Sequence, residues 1–201
     1  MEKVSDVFEG SNPIEIARRW LAEAETTEPN DANAMALSTV DGDGRPNSRI
    51  VLLKEIEQNG FVFYTNYNSV KSSEILASGF ASFVIHWKTL RRQIRVRGRT
   101  QKVGTEQSDA YFASRSPDSR LGAIASDQSK PLLNREQLIA AVQQTRENHG
   151  DNPVRPDNWG GFRIVPFEVE LWNNGAYRLH DRFRWTRTED TGAWHSVRLY
   201  P

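Results

Sequence analysis

Two periods alternate along the chain. Near the N-terminus, apolar positions recur at helical spacing: Ala17, Trp20, Leu21 and Ala24 share one face, which predicts an amphipathic helix. Asn12-Pro13-Ile14-Glu15 supplies its start, with Asn12 as cap, Pro13 at the first helical position and Glu15 three residues on. The helix is expected to run to about Glu25, after a flexible lead-in over 1–11 and before a loop over 26–33.

From Ala34 the period shortens to two. Strands are predicted over 34–40 and 46–54, joined at Asp41-Gly42-Asp43-Gly44, and a third opens after Asn59-Gly60 over 61–65. The segment 49–54 is apolar enough to predict burial on both faces, with the charges at its ends meeting partners or a ligand. Ser69 is expected to cap a short helix to about Ala77, and strands over 80–87 and 91–103 form another pair. Tightly connected strands of this kind predict an antiparallel sheet that curls into a barrel.

The helical period returns in the middle. Thr105 is expected to cap a helix through Arg115, Pro117 to start one to about Ile124, and Asn134 to cap a third. In that third helix Gln137 completes a capping box, while Leu138, Ala141, Val142 and Thr145 face inward. Strands are predicted again over 161–172, 182–187 and 193–199. Because β-structure flanks the helices on both sides, the pattern indicates one α+β domain over 12–201, mainly antiparallel with flanking helices.

Composition narrows the possible functions. The 201 residues include 26 basic and 26 acidic side chains, so the formal net charge is zero, unlike a general nucleic-acid binder. Basic residues cluster in 91–102 and 178–187, and a local basic stripe on a neutral protein suits a small anion. The absence of cysteine excludes disulfides, thiolate metal sites and cysteine nucleophiles. No apolar run approaches the ~20 residues that span a bilayer, and no signal-peptide core is present. A cytoplasmic protein is expected, with no metal, membrane or nucleic-acid partner.

Four stretches carry candidate chemistry. If 178–182 is extended, Arg178, His180 and Arg182 share one face, opposite Leu179 and Asp181. Such a face calls for an anion, or else is a solvated basic edge; Asn173-Asn174-Gly175 predicts that it returns from the preceding strand as a hairpin. In the strand from Arg91, the residues Arg91, Gln93, Arg95, Arg97 and Arg99 alternate with Ile94, Val96 and Gly98. Most of these arginines read as solvent-facing, with Gln93 set apart by its apolar neighbours at 83–87. Arg49, Lys54, Tyr64, Thr65, Ser69 and Lys71 offer forks, point charges and hydroxyls suited to phosphate. Tyr111 and Arg115 lie one helical turn apart, and Ser119 follows the Pro117 break, a grouping able to hold a phosphate ester. Gln128-Ser129 adds neutral hydrogen-bonding groups.

The stretches 33–40, 48–54, 60–66, Arg92-Gln93, 108–115, 178–182 and the ending Arg198-Leu199-Tyr200-Pro201 together resemble the pyridoxine/pyridoxamine 5′-phosphate oxidase family, in order from about Asn12 to Pro201. Val70, Ile124, Leu171 and Asn173 depart from its usual pattern. The resemblance implies an FMN-binding split β-barrel working as a homodimer, with the flavin at the subunit interface. It implies an oxidase that converts pyridoxine or pyridoxamine 5′-phosphate to pyridoxal 5′-phosphate, with O2 as acceptor and H2O2 as by-product. FMN contacts carried over are Arg49, Ile50, Val51, Leu52, Tyr64, Thr65, Lys71, Gln93, Gln128, Ser129, Trp172 and Arg182. The substrate phosphate falls to Lys54, Tyr111, Arg115 and Ser119, and its ring and reacting carbon to Arg178 and His180 as catalytic candidates. The alternatives are a split-barrel flavin enzyme of phenazine-pathway type acting on another ring, and a non-catalytic FMN- or nucleic-acid-binding barrel.

Overall fold

The computed structural model describes residues 6–201. Helix α1 spans Pro13–Thr27, and the Asn12 side chain accepts from the Ile14 amide as its cap. Part of the lead-in is anchored to the core. Asp6–Phe8 form a 3-10 turn, and the Phe8 ring lies 5.5 Å from Trp20 and 4.9 Å from Phe183. Residues 1–5 lie outside the described residues.

Among the described residues nine strands form one sheet in which every pairing is antiparallel. They are β1 (Ala34–Val40), β2 (Pro46–Leu52), β3 (Glu55–Ile56), β4 (Phe61–Asn66), β5 (Phe80–Trp87), β6 (Arg92–Lys102), β7 (Trp159–Asn173), β8 (Asp181–Thr186) and β9 (His195–Leu199). The main path runs β2-β1-β5-β6-β7-β4-β3, and β8 and β9 extend from β7. Strand β7 organises the sheet. It pairs β6 along its length, β4 through its first half and β8 through its second.

The halves of β7 meet at a bulge opposite Arg97 and Gly98. Pro166, which has no amide hydrogen, is tolerated there. A Cβ on Gly98 would sit 2.4 Å from the Val165 carbonyl, so only glycine permits this approach. The curled sheet encloses a core of Trp20, Met35, Leu37, Phe61, Phe63, Phe83, Ile85, Ile94, Val96, Phe162, Ile164 and Leu171.

Helix α2 (Val70–Ser78) packs against β1. Between β6 and β7 come α3 (Thr105–Ser114), α4 (Pro117–Ala125) and α5 (Arg135–His149). No described helix is long and apolar enough to cross a membrane.

Several local expectations are corrected. Strand β2 is not buried on both faces: Ile50 is 67% exposed and Leu52 38%. Among the described residues it is an edge strand with β1 as its only strand neighbour; Val51 packs against the core, while Ile50 and Leu52 point to a face that no described element covers. The strand also ends at Leu52, and the two-residue β3 pairs β4 in a hairpin the pattern did not signal. Gly104, not Thr105, caps α3. Ser69 is the N-cap residue of α2, but its hydroxyl donates to the Asn66 carbonyl and makes no capping hydrogen bond. Gln137 accepts from the Leu133 amide and so misses the Asn134 amide required by a capping box.

The largest correction concerns 178–182. The β7–β8 connection is a hairpin, yet Ala176–Arg178 form a 3-10 turn and β8 starts only at Asp181. Tyr177 (φ 55°) and Arg178 (φ 65°) are left-handed, which breaks the strand alternation expected for Arg178 and His180. The loop closes tightly: a Cβ on Gly175 would lie 1.9 Å from the Leu179 carbonyl.

Candidate functional site

An open cleft of about 1070 Å³ lies between β2, β4, α2, α3 and α4. It brings together Arg49, Ile50, Val51, Leu52, Lys54, Tyr64, Thr65, Lys71, Tyr111, Arg115, Ser119, Gln128 and Ser129. Two polar clusters occupy it.

The first cluster is buried and internally bonded. Lys71, only 8% exposed, donates to Thr65 Oγ1 (3.1 Å), Ser69 Oγ (3.0 Å) and Gln128 Oε1 (2.7 Å). All three partners are neutral oxygens. Burial, helped by the nearby Arg49 charge, lowers the Lys71 pKa to about 8. Arg49 donates to Thr39 Oγ1 at 2.5 Å and to Glu74 Oε2 at 3.2 Å. A buried ammonium beside a guanidinium, with no carboxylate on the ammonium, fits an anionic ligand better than a permanent ion pair.

The second cluster is more open. The Tyr64 and Tyr111 rings stack at 3.8 Å and 11°, and the Arg115 guanidinium lies 4.9 Å from the centre of the Trp159 ring. Arg115 Nη1 is buried without a hydrogen-bond partner among the described residues. Burial lowers the Arg115 pKa, with the Tyr111 hydroxyl partly opposing. Burial, then the Tyr64 hydroxyl's bond to Glu55 (2.7 Å), raises the Tyr64 pKa. Burial also raises that of Tyr111, against the Arg115 charge. The exposed Ser119 hydroxyl accepts from Ser116 at 2.8 Å, and the exposed Lys54 lines the same cleft. An unpaired guanidinium among hydroxyls has room for a second anion.

Gln93, Trp172, Arg178, His180 and Arg182 do not line this cleft. Gln93 pairs Trp172 across β6 and β7, and Trp172 pairs Arg182 across β7 and β8. The rings of Trp172 and His180 lie 4.6 Å apart. Both Arg182 Nε (3.0 Å) and Nη2 (2.7 Å) donate to Glu170 Oε1. His180 borders a smaller hollow of about 450 Å³ with Leu179, Asp181, Arg198, Leu199, Tyr200 and Pro201, and Arg178 is exposed. One chain therefore carries the expected site residues in two separate places.

Three side chains were missed by sequence reasoning. Glu74 holds Arg49, Glu55 holds Tyr64, and Trp159 lies beneath Arg115. The Glu74–Arg49 and Trp159–Arg115 contacts join residues distant in the chain, and the Glu55–Tyr64 contact depends on the short β3–β4 hairpin that the pattern did not signal.

Comparison with known proteins decides the family. The pyridoxamine 5′-phosphate oxidase family model matches residues 21–149, and the model of the pyridoxine 5′-phosphate oxidase C-terminal dimerisation region matches 159–201. The chain belongs to the pyridoxamine 5′-phosphate oxidase family. Relatives named pyridoxine/pyridoxamine 5′-phosphate oxidase include one from Jannaschia sp. (strain CCS1), 58% identical with 100% of both chains covered. Another, from Ruegeria sp. (strain TM1040), is 60% identical with 97% of both covered. Among solved structures, PhzG from Burkholderia lata 383, in complex with tetrahydrophenazine-1-carboxylic acid, superposes with a TM-score of 0.90. It is 31% identical, with 98% of this chain and 96% of that one covered. A pyridoxamine 5′-phosphate oxidase-related, FMN-binding protein from Nostoc punctiforme shares the fold at TM-score 0.78 and 18% identity, with 94% of this chain and 98% of that one covered. The curled antiparallel sheet is the family's split barrel.

Proposed function

We propose that the chain is an FMN-dependent oxidase acting on pyridoxine 5′-phosphate or pyridoxamine 5′-phosphate. The product is pyridoxal 5′-phosphate, O2 is the acceptor and H2O2 the by-product; the amine substrate also takes up water and releases ammonia. The observation that carries this reading is the pair of cationic clusters in one cleft, matching a reaction between two phosphorylated rings. Bound FMN would supply the two-electron acceptor that O2 regenerates.

In this reading Lys71 and Arg49 neutralise the flavin phosphate, assisted by Thr65, Gln128 and Ser129. Ile50, Val51, Leu52 and Tyr64 line the flavin's side of the cleft. Lys54, Tyr111, Arg115 and Ser119 take the substrate phosphate. Gln93, Trp172 and Arg182 complete the flavin contacts, Arg178 orients the substrate ring, and His180 hydrogen-bonds the substrate or moves a proton.

Because the last five lie away from the cleft, the proposal includes a homodimer in which the β7–β8 loop of a second copy closes each site. Uncovered Ile50, Leu52, Leu179 and Tyr200 support it, as does the dimerisation-region match over 159–201. A cytoplasmic location belongs to the same proposal.

A flavin oxidoreductase acting on an unphosphorylated ring is the second reading, favoured by the likeness to PhzG. The Lys54–Tyr111–Arg115–Ser119 cluster favours the first reading, since two cations and two hydroxyls match a dianionic phosphate better than the single carboxylate of such a ring. Purified protein should be yellow with FMN and should turn pyridoxine 5′-phosphate into an aldehyde under air, with H2O2 released. A colourless preparation that stays inactive with added FMN overturns the proposal. A yellow one that oxidises only unphosphorylated rings selects the second reading.

A further inference from the structure

Glu74 is a buried carboxylate for which the proposed reaction has no direct use. It sits on α2, one turn after Lys71, with 8% of its surface exposed. Its Oε2 accepts from the Thr39 hydroxyl of β1 and from Arg49 Nη2 of β2 (3.2 Å), and its Oε1 from Asn47 Nδ2 of β2 (3.1 Å). Burial pushes its carboxyl up, but the bonds from Thr39, Asn47 and Arg49, with the Arg49 charge, outweigh it and hold the carboxyl below its ordinary range.

The position of these contacts matters as much as their number. Among the described residues strand β2 is bonded to β1 alone, so its backbone is held on one flank. A free arginine side chain samples many rotamers, and that freedom is lost when its fork is held in one place. The Glu74 carboxylate supplies the missing constraint, tying the end of Arg49 to α2, the helix that also carries Lys71. Thr39 Oγ1 completes the clamp by accepting from Arg49 Nη1 at 2.5 Å while donating to Glu74.

We propose that Glu74 is a positioning residue: by gripping Arg49, Thr39 and Asn47 together it aims the Arg49 fork beside Lys71 before ligand arrives, and so sets the preference for a phosphorylated flavin over its unphosphorylated form. The inference rests on the FMN reading above. Its consequence is specific, because losing the grip costs the phosphate contact and leaves the ring contacts in place.

The test is titration of the flavin-free protein with FMN and with riboflavin, followed by flavin fluorescence, with circular dichroism to confirm folding. Wild type should bind FMN far more tightly than riboflavin. Glu74→Ala should weaken FMN binding roughly tenfold or more, the worth of a charge-assisted contact, with riboflavin binding unchanged. Glu74→Gln keeps an acceptor for Arg49 and should restore most of the preference. On an Arg49→Lys background, Glu74→Ala should add nothing further.

Equal weakening of both flavins would show a packing role and overturn the proposal. So would unchanged binding, or tighter FMN binding in both Glu74 variants, the sign of a charge that merely competes with phosphate. If Glu74→Ala does not fold, the near-isosteric Thr39→Val replaces it: a fall in the FMN-to-riboflavin ratio supports the clamp and an unchanged ratio overturns it. A wild type that does not distinguish the flavins defeats the FMN reading and the clamp with it. A discriminating wild type with indifferent variants defeats the clamp alone.

Discussion

The two ends of the cleft hold similar charges in opposite ways. Around Lys71 the ammonium is buried and makes three hydrogen bonds within the protein. Arg49 beside it is gripped by Thr39 and Glu74. Around Arg115 one guanidinium nitrogen has no partner, Ser119 is exposed, and stacked aromatic rings form the wall. A site whose groups are oriented in advance loses less entropy on binding and holds its ligand longer. An open site with unspent hydrogen bonds suits a ligand that arrives and leaves at every turnover. The difference suits the proposed reading, in which the inner cluster holds a resident coenzyme and the outer one a substrate.

The largest effect should come from the inner cluster. Lys71→Met keeps most of the side-chain volume and removes the charge; FMN affinity of the flavin-free protein should fall roughly a hundredfold, the upper range for a charge-assisted contact. Near-wild-type affinity by fluorescence titration would erase the distinction between the two ends.

Arg115→Ala should act on the other side. With FMN saturating, kcat/KM for pyridoxine 5′-phosphate should drop roughly ten- to hundredfold, about 1.5–3 kcal/mol, while FMN affinity stays put. Loss of FMN binding in this variant would merge the clusters into one site.

The smallest effect is a slope with pH. A bound phosphate favours protonated Lys71, whose pKa is lowered to about 8 without ligand. FMN affinity should therefore hold below that value and decline above it, by at most about tenfold per pH unit. The sign follows because flavin binding must then restore a proton the free protein has lost. Lys71→Met should flatten this slope, and a slope that survives the substitution belongs to another group.

How far these features were legible in the sequence depends on the range of the contacts involved. Ile94 and Val96 turn inward while Arg95 and Arg97 turn outward, as the strand period dictates; Tyr111 and Arg115 come together although α3 ends at Ser114 and Arg115 is its extended C-cap, not part of the helix. The resemblance gathered thirteen cleft residues from stretches far apart in the chain. The exposure of Ile50 and Leu52 was not legible, because apolar composition does not say whether the cover comes from the same chain or from outside it. Nor was the loop at Tyr177 and Arg178, where tight closure around Gly175 outweighs the preference of both residues for negative φ.

By itself the sequence determined the strand and helix periods, the absence of thiol chemistry, and the presence of enough cations and hydroxyls for two phosphates. Those properties depend on residue type and on neighbours within a turn or a strand pair. The tertiary structure alone decided which cations are buried, which carboxylates restrain them, and that His180 lies apart from Lys71 within one chain. Such outcomes depend on which strand becomes an edge and which helix covers it, and long-range packing of the whole sheet settles that choice.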